Sequence, residues 1–140
     1  MKILFLDIDG VCNCEGTRQR HRGFIGIDPY MAFLVGKLTL AVPDLKVVLS
    51  SSWRHFPGGR EEVEKQVVPI FDQTPISPNG EKRGDEIKMW LDLHPEVVKY
   101  AILDDDTDML EEQFPNFFRT QWKTGITPED VEKIIKHFND

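Results

Sequence analysis

Cysteine is scarce in this chain: two, Cys12 and Cys14, stand with one residue between them. That count excludes a disulfide framework, and thiols so close together cannot usefully staple a fold. They do not head a zinc site either. No second cysteine pair follows, and His21, His55, His94 and His137 are scattered singly. The two thiols read as small residues of a turn. No apolar run reaches membrane-spanning length. The first one, Ile3 to Leu6, is too short for a signal-peptide core before it meets Asp7, so the cytoplasm is the expected compartment. Positive charge is also in deficit: 17 Lys and Arg stand against 24 Asp and Glu, for a net charge of −7. This excludes polyanion binding by the surface as a whole. The local exception is RQRHR at 18–22, a basic patch that matters only beside a phosphate site. With no repeats, low-complexity segments or linkers, residues 1–140 are expected to form a single domain around one core.

What is present alternates between strand-like and helix-like segments. Lys2 to Leu6, KVVLS at 46–50 and YAILD at 100–104 are apolar on both faces, as buried parallel strands are. Asp28 followed by Pro29 predicts an N-cap and a helix to about Leu40. REEVEKQ at 60–66 suits a helix, and the stretch from Gly84 to about His94 puts Ile87, Trp90 and Leu91 on one helical face. VVPIF at 67–71 is ambiguous, because Pro69 weakens either assignment. Met109 to Gln113 suits a short helix and FFRT at 117–120 a short strand. TPEDVEKIIKHF closes the chain as a helix with Thr127 as N-cap, Pro128 at its first position and acids in its first turn. Residues 12–27 are expected to be a polar flap. The alternation predicts an α/β sandwich around a mainly parallel sheet, with ligands beyond the carboxyl ends of the strands.

The residues that follow each buried strand carry the chemistry. Asp7 and Asp9 follow the first; Ser50, Ser51 and Ser52 the second; Asp104, Asp105, Asp106 and then Asp108 the third. If the first strand lies between the other two, these groups meet. Carboxylates so close raise one another's pKa unless a cation joins them. An oxygen-only donor set suits a hard ion, Mg²⁺ rather than Zn²⁺. Hydroxyls can donate to phosphoryl oxygens, and Lys82 and Arg83 just before a helix favour an anion there. Acid, metal, hydroxyl and cation together describe phosphoryl transfer. Singly, each piece has a plainer reading: DIDG as a turn, three serines as a helix start, DDDTD as a cap. Together, the plain readings leave their coincidence at strand and helix ends unexplained.

These stretches resemble the four motifs of the haloacid dehalogenase (HAD) superfamily. DIDGV resembles the first, VVLSSSWR the second, KRGDEI the third and YAILDDDTDM the fourth, in order over residues 1 to about 110. The wording is further similar to the small HAD domains of Swiss Army Knife RNA repair proteins. The resemblance implies a three-layer α/β/α Rossmann-like sandwich without a large cap. It also implies roles: Asp7 as the nucleophile that becomes an aspartyl-phosphate, and Asp9 as general acid and then base. Mg²⁺ would be shared by Asp7, Asp9, Asp105 and Asp104, with Asp105 the main acidic ligand and Asp108 a secondary acid. Phosphate contacts would come from Ser50 or Ser51, Ser50 fitting better, and from Arg83 or Lys82, Arg83 standing directly before Gly84. Asp106 is expected to cap the short helix that follows. Trp53 is expected in core or pocket wall, and Arg54 is divided between a surface ion pair and a phosphate contact.

Neither the stretch between the first two motifs nor that between the last two is long enough to fold a cap. An open site fits a bulky phosphorylated substrate such as a polynucleotide end, with Arg18, Arg20 and Arg22 of the flap and Arg54 as substrate contacts. No membrane and no obligate protein partner is implied. Two other classes stay open: a receiver-type phospho-Asp signalling domain, and a phosphate-binding protein without turnover.

Overall fold

The computed structural model describes residues 1–140. In chain order it runs β1 (Lys2–Leu6), β2 (Arg20–His21), β3 (Phe24–Ile25), α1 (Pro29–Ala41), β4 (Leu45–Leu49), α2 (Gly59–Gln66), β5 (Asp72–Gln73), α3 (Arg83–Asp92), β6 (Lys99–Asp104), β7 (Phe117–Arg119) and α4 (Pro128–Asn139). Short 3-10 helices occupy Ser52–His55 and Glu111–Asn116. The main sheet has the order β5-β4-β1-β6-β7 with every pairing parallel. β1 is therefore central, flanked by the two other long apolar strands, and its residues Ile3 to Leu6 are wholly buried.

Side-chain alternation along these strands divides the core in two. Leu4, Leu6, Val47, Leu49 and Leu103 join Leu34 and Val35 of α1, Val63 of α2 and Ile134 of α4 on one face. Ile3, Phe5, Val48 and Ile102 meet Ile87 and Trp90 of α3 on the other. Helices on both faces of a parallel sheet make the three-layer α/β/α sandwich that the resemblance implies. The alternation also aims the site: Asp7, Ser50 and Asp104 lie two residues beyond Phe5, Val48 and Ile102, on the parity of the α3 face.

Helix ends follow the sequence signals. Asp28 accepts from Tyr30 N and Met31 N at the start of α1, and Thr127 accepts from Asp130 N at the start of α4. Three local expectations are corrected. VVPIF forms neither element; Pro69 keeps it irregular, and the edge strand is only Asp72–Gln73. The short helix expected over Met109 to Gln113 begins at Glu111 and runs as a 3-10 helix to Asn116. Asp106 consequently caps nothing there; its carboxylate accepts from Thr107 N. The flap at 12–27 contains an antiparallel hairpin, β2–β3. Arg22 (φ 53°) and Gly23 (φ 84°) form its turn, both in the left-handed region that tight two-residue hairpins require. No helix is long and apolar enough to cross a membrane.

Candidate active site

The ladder hydrogen bonds continue past the strand ends and thereby place the first polar residue of each. Asp7 N donates to Leu103 O and Ser50 N to Leu6 O, both at 3.0 Å. One layer thus holds Asp7, Ser50 and Asp104, all buried. Carboxylate oxygens of Asp7, Asp104 and Asp105 lie within 4.8 Å of one another. Arg83, at the first position of α3, enters from above: its Nη1 is 3.1 Å from Asp7 Oδ1 and 2.7 Å from Asp104 Oδ2.

The electrostatics follow from that packing. Burial, reinforced by the neighbouring Asp104 carboxylate, raises the Asp7 pKa well above its ordinary value; Arg83 offsets only part of this. Asp105 is raised for the same reasons, burial first and Asp104 second. Burial alone would lower the Arg83 pKa, but the two carboxylates more than reverse it and hold the guanidinium charged.

Gly10 makes the acidic group possible. Its φ of 85° is left-handed, and a Cβ there would overlap the Asp105 carboxylate. Thr120 fixes the same turn, its Oγ1 donating to Gly10 O at 2.6 Å. Arg119 Nε donates to Asp105 O at 3.0 Å, holding that residue's backbone. Asp108 anchors the start of α3 over the site: its Oδ2 accepts from Arg83 N at 3.1 Å, and its backbone O accepts from Gly84 N.

The donor set suits a hard cation. Three carboxylates meet with no imidazole or thiolate among them, and the one buried thiol nearby, Cys12, is pushed up by burial and stays protonated. The Ser50 hydroxyl is wholly buried and unpartnered, as is Thr74 Oγ1, which lies one residue past the Leu49–Gln73 pair at the next strand end. Buried hydroxyls without partners are costly, and here both stand at the strand edge that carries the acids.

The remaining sequence candidates divide. Asp9 is exposed and lies outside the group of three. Its Oδ1 accepts from Asn13 Nδ2 at 2.9 Å and Trp53 Nε1 at 3.1 Å, so this carboxylate is oriented by neighbours instead of being gathered with Asp104 and Asp105. Ser51 Oγ accepts from Trp53 N as the cap of a 3-10 helix, which leaves Ser50 as the free hydroxyl. Lys82 is exposed, and Arg83 alone of the two reaches the acids.

Arg54 makes an ion pair, but a buried one, and the N–H groups of its guanidinium are committed within the protein. Its side chain is buried against Glu86 at 2.8 Å, and its other N–H groups go to the carbonyls of Ser50, Ser51, Thr74 and Pro75. Arg18 and Arg22 are exposed on the flap, while Arg20 donates to Thr17 O and Gln19 O. Sequence reasoning missed Asn13 and Thr74, and it missed the hold of Trp53 on Asp9. An asparagine, a threonine and a tryptophan carry no chemical signal of their own in the sequence. A family model described as the HAD domain in Swiss Army Knife RNA repair proteins matches residues 3–131. No curated protein matches the chain.

Proposed function

The chain belongs to the family of HAD domains found in Swiss Army Knife RNA repair proteins, and on that footing we propose a Mg²⁺-dependent phosphomonoesterase that works through an aspartyl-phosphate on a polynucleotide end. Membership supports a phosphatase-type hydrolase at the superfamily level. The finer reading rests on one observation: Asp7, Asp104 and Asp105 converge within 4.8 Å beside the Arg83 guanidinium.

In this reading Asp7, Asp104 and Asp105 hold Mg²⁺. The ion supplies charge neutralisation, for the carboxylates and for phosphoryl oxygens alike. Arg83 and the Ser50 hydroxyl donate to the remaining phosphoryl oxygens. An Asp7 oxygen attacks phosphorus and forms the P–O bond of the acyl phosphate, while the ester P–O bond breaks. Asp9 gives the leaving oxygen its proton. In the second half, Asp9 takes a proton from water, whose oxygen attacks phosphorus and releases inorganic phosphate, restoring both acids. The contacts of Trp53 and Asn13 on one Asp9 oxygen leave the other for this proton traffic. The fold brings no cap over the strand ends, so a large substrate can approach.

Hydrolysis of p-nitrophenyl phosphate with Mg²⁺ is expected, with an Asp7→Asn variant at least ~10³-fold slower. A stable phospho-Asp without turnover would favour a receiver domain, and binding without either a non-catalytic protein. RNA with a 3′- or 5′-phosphate should be preferred over a free nucleotide. The reverse preference overturns the substrate assignment.

A further inference from the structure

Beside the acidic group, the surface carries a cleft whose aromatic rings the phosphoryl chemistry does not use. It is lined by Asp9, Phe24, Ile25, Trp53 and Trp122, with a volume of about 270 Å³. Its rings come from three separate segments: Phe24 from the flap hairpin, Trp53 from the 3-10 helix after β4, and Trp122 from the turn closed by the Gln121–Gly125 bridge. We propose that this cleft is a base-stacking subsite, which receives the base of the nucleotide whose phosphate is removed. The inference rests on the phosphatase reading and adds what the substrate's leaving group must be.

Position comes first. Asp9 is the acid assigned to the leaving oxygen, and it lines this cleft, so the departing alcohol lies at the cleft's mouth. Rigidity comes second. Trp53 is buried, its Nε1 tied to Asp9 at 3.1 Å and its ring stacked on His21 at 5.2 Å between centroids. The wall is therefore preformed, and its placement is coupled to that of the acid.

Exposure comes third. Phe24 is 76% and Trp122 41% exposed, which leaves ring faces in water beside the site. Planar faces of this kind are what single-stranded nucleic acids stack upon, without regard to sequence. The cleft lies just below the usual size range of drug-sized ligand pockets, a fit for one ring system.

Charge comes fourth. Phe24 and Trp53 also wall an adjoining groove of about 220 Å³ that includes Arg22, and exposed Arg18 lies on the same flap. In a protein of net charge −7, this local cationic edge matches the phosphates of a strand running on from the stacked nucleotide.

The test uses anisotropy of end-labelled RNA bearing a terminal phosphate, bound to the full chain carrying Asp7→Asn. The competitor is the same RNA with its phosphate-bearing nucleotide abasic. The base-bearing RNA is expected to bind about tenfold tighter. Joint Phe24→Ala and Trp122→Ala substitution should shrink that difference to about twofold, and Phe24→Tyr with Trp122→Phe should restore it. Equal binding of the abasic RNA, a double variant that keeps the full difference, or a phosphotyrosine peptide that binds as tightly each overturns the subsite. The two readings fail separately. Base discrimination by a protein that hydrolyses no phosphomonoester sinks the phosphatase and the leaving-group role, while the stacking itself stands; hydrolysis without base discrimination sinks the subsite and spares the phosphatase.

Discussion

Arg54 illustrates how a single side chain can hold a site without touching its chemistry. Its guanidinium donates to four carbonyls and to Glu86, and Glu86 in turn accepts from Ser77 N at 2.8 Å. The carbonyls of Ser50 and Ser51 are thereby fixed at the end of β4, and with them the backbone that carries the Ser50 side chain. Burial lowers the Arg54 pKa, and the Glu86 carboxylate opposes that shift. Arg54→Ala would leave Glu86 buried without its partner and several carbonyls unpaired, a loss of about 3–5 kcal/mol. Urea unfolding should register that loss directly. A phosphate contact would behave differently, raising KM for phosphorylated substrates while the unfolding midpoint stayed in place.

At the scale of elements, α3 is fixed to the site by its first turn. Its first turn carries Arg83, and two groups of Asp108 hold that turn down. Gly84 permits the close approach, since a Cβ there would fall 2.7 Å from Leu110 N and Gln113 Oε1. Removing the Asp108 carboxylate by Asp108→Ala should cost about 1 kcal/mol, the usual worth of a lost N-terminal cap. It should also raise KM for any phosphomonoester several-fold while kcat changes less, because Arg83 would be less firmly placed. Thermal unfolding and steady-state kinetics on one preparation check both halves.

The elements were legible in the sequence because their signals are local. Asp28 with Pro29, Thr127 with Pro128, and the apolar runs at 2–6, 46–50 and 100–104 each declare an end or a buried strand within a few residues. The convergence of Asp7, Ser50 and Asp104 was equally legible, since a parallel sheet puts all strand ends on one edge. The pairing of distant side chains was not. Nothing in the spacing of Trp53 and Asp9, or of Arg54 and Glu86, announces a hydrogen bond across 44 or 32 residues. The flap hairpin escaped notice for another reason. Its turn is Arg22–Gly23, and arginine is an uncommon occupant of a left-handed position.

For the molecule as a whole, the acidic layer makes stability depend on pH and, on the proposed reading, on divalent ions as well. Folding raises the pKa of Asp7 and Asp105 above the ordinary 3.8. Above that pH the unfolded chain has released protons that the folded chain still holds, so stability falls as pH rises until both carboxyls ionise in the folded state. In a chelator, the thermal midpoint is therefore expected to decline as pH climbs from about 4. Mg²⁺ should flatten the decline, adding about 2.7 kcal/mol at a hundredfold excess over its Kd. Asp7→Asn should flatten it too, without any ion. Identical pH slopes with chelator and with Mg²⁺ would remove the acidic layer as an ion site.

The guanidinium lodged between Asp7 and Asp104 has one last implication, for the order of assembly. Because the polypeptide brings its own counterion, two of the three carboxylates are partnered before any divalent metal arrives. On the proposed reading, Mg²⁺ would then enter a finished scaffold, unlike the metal of a zinc finger, which the fold itself requires.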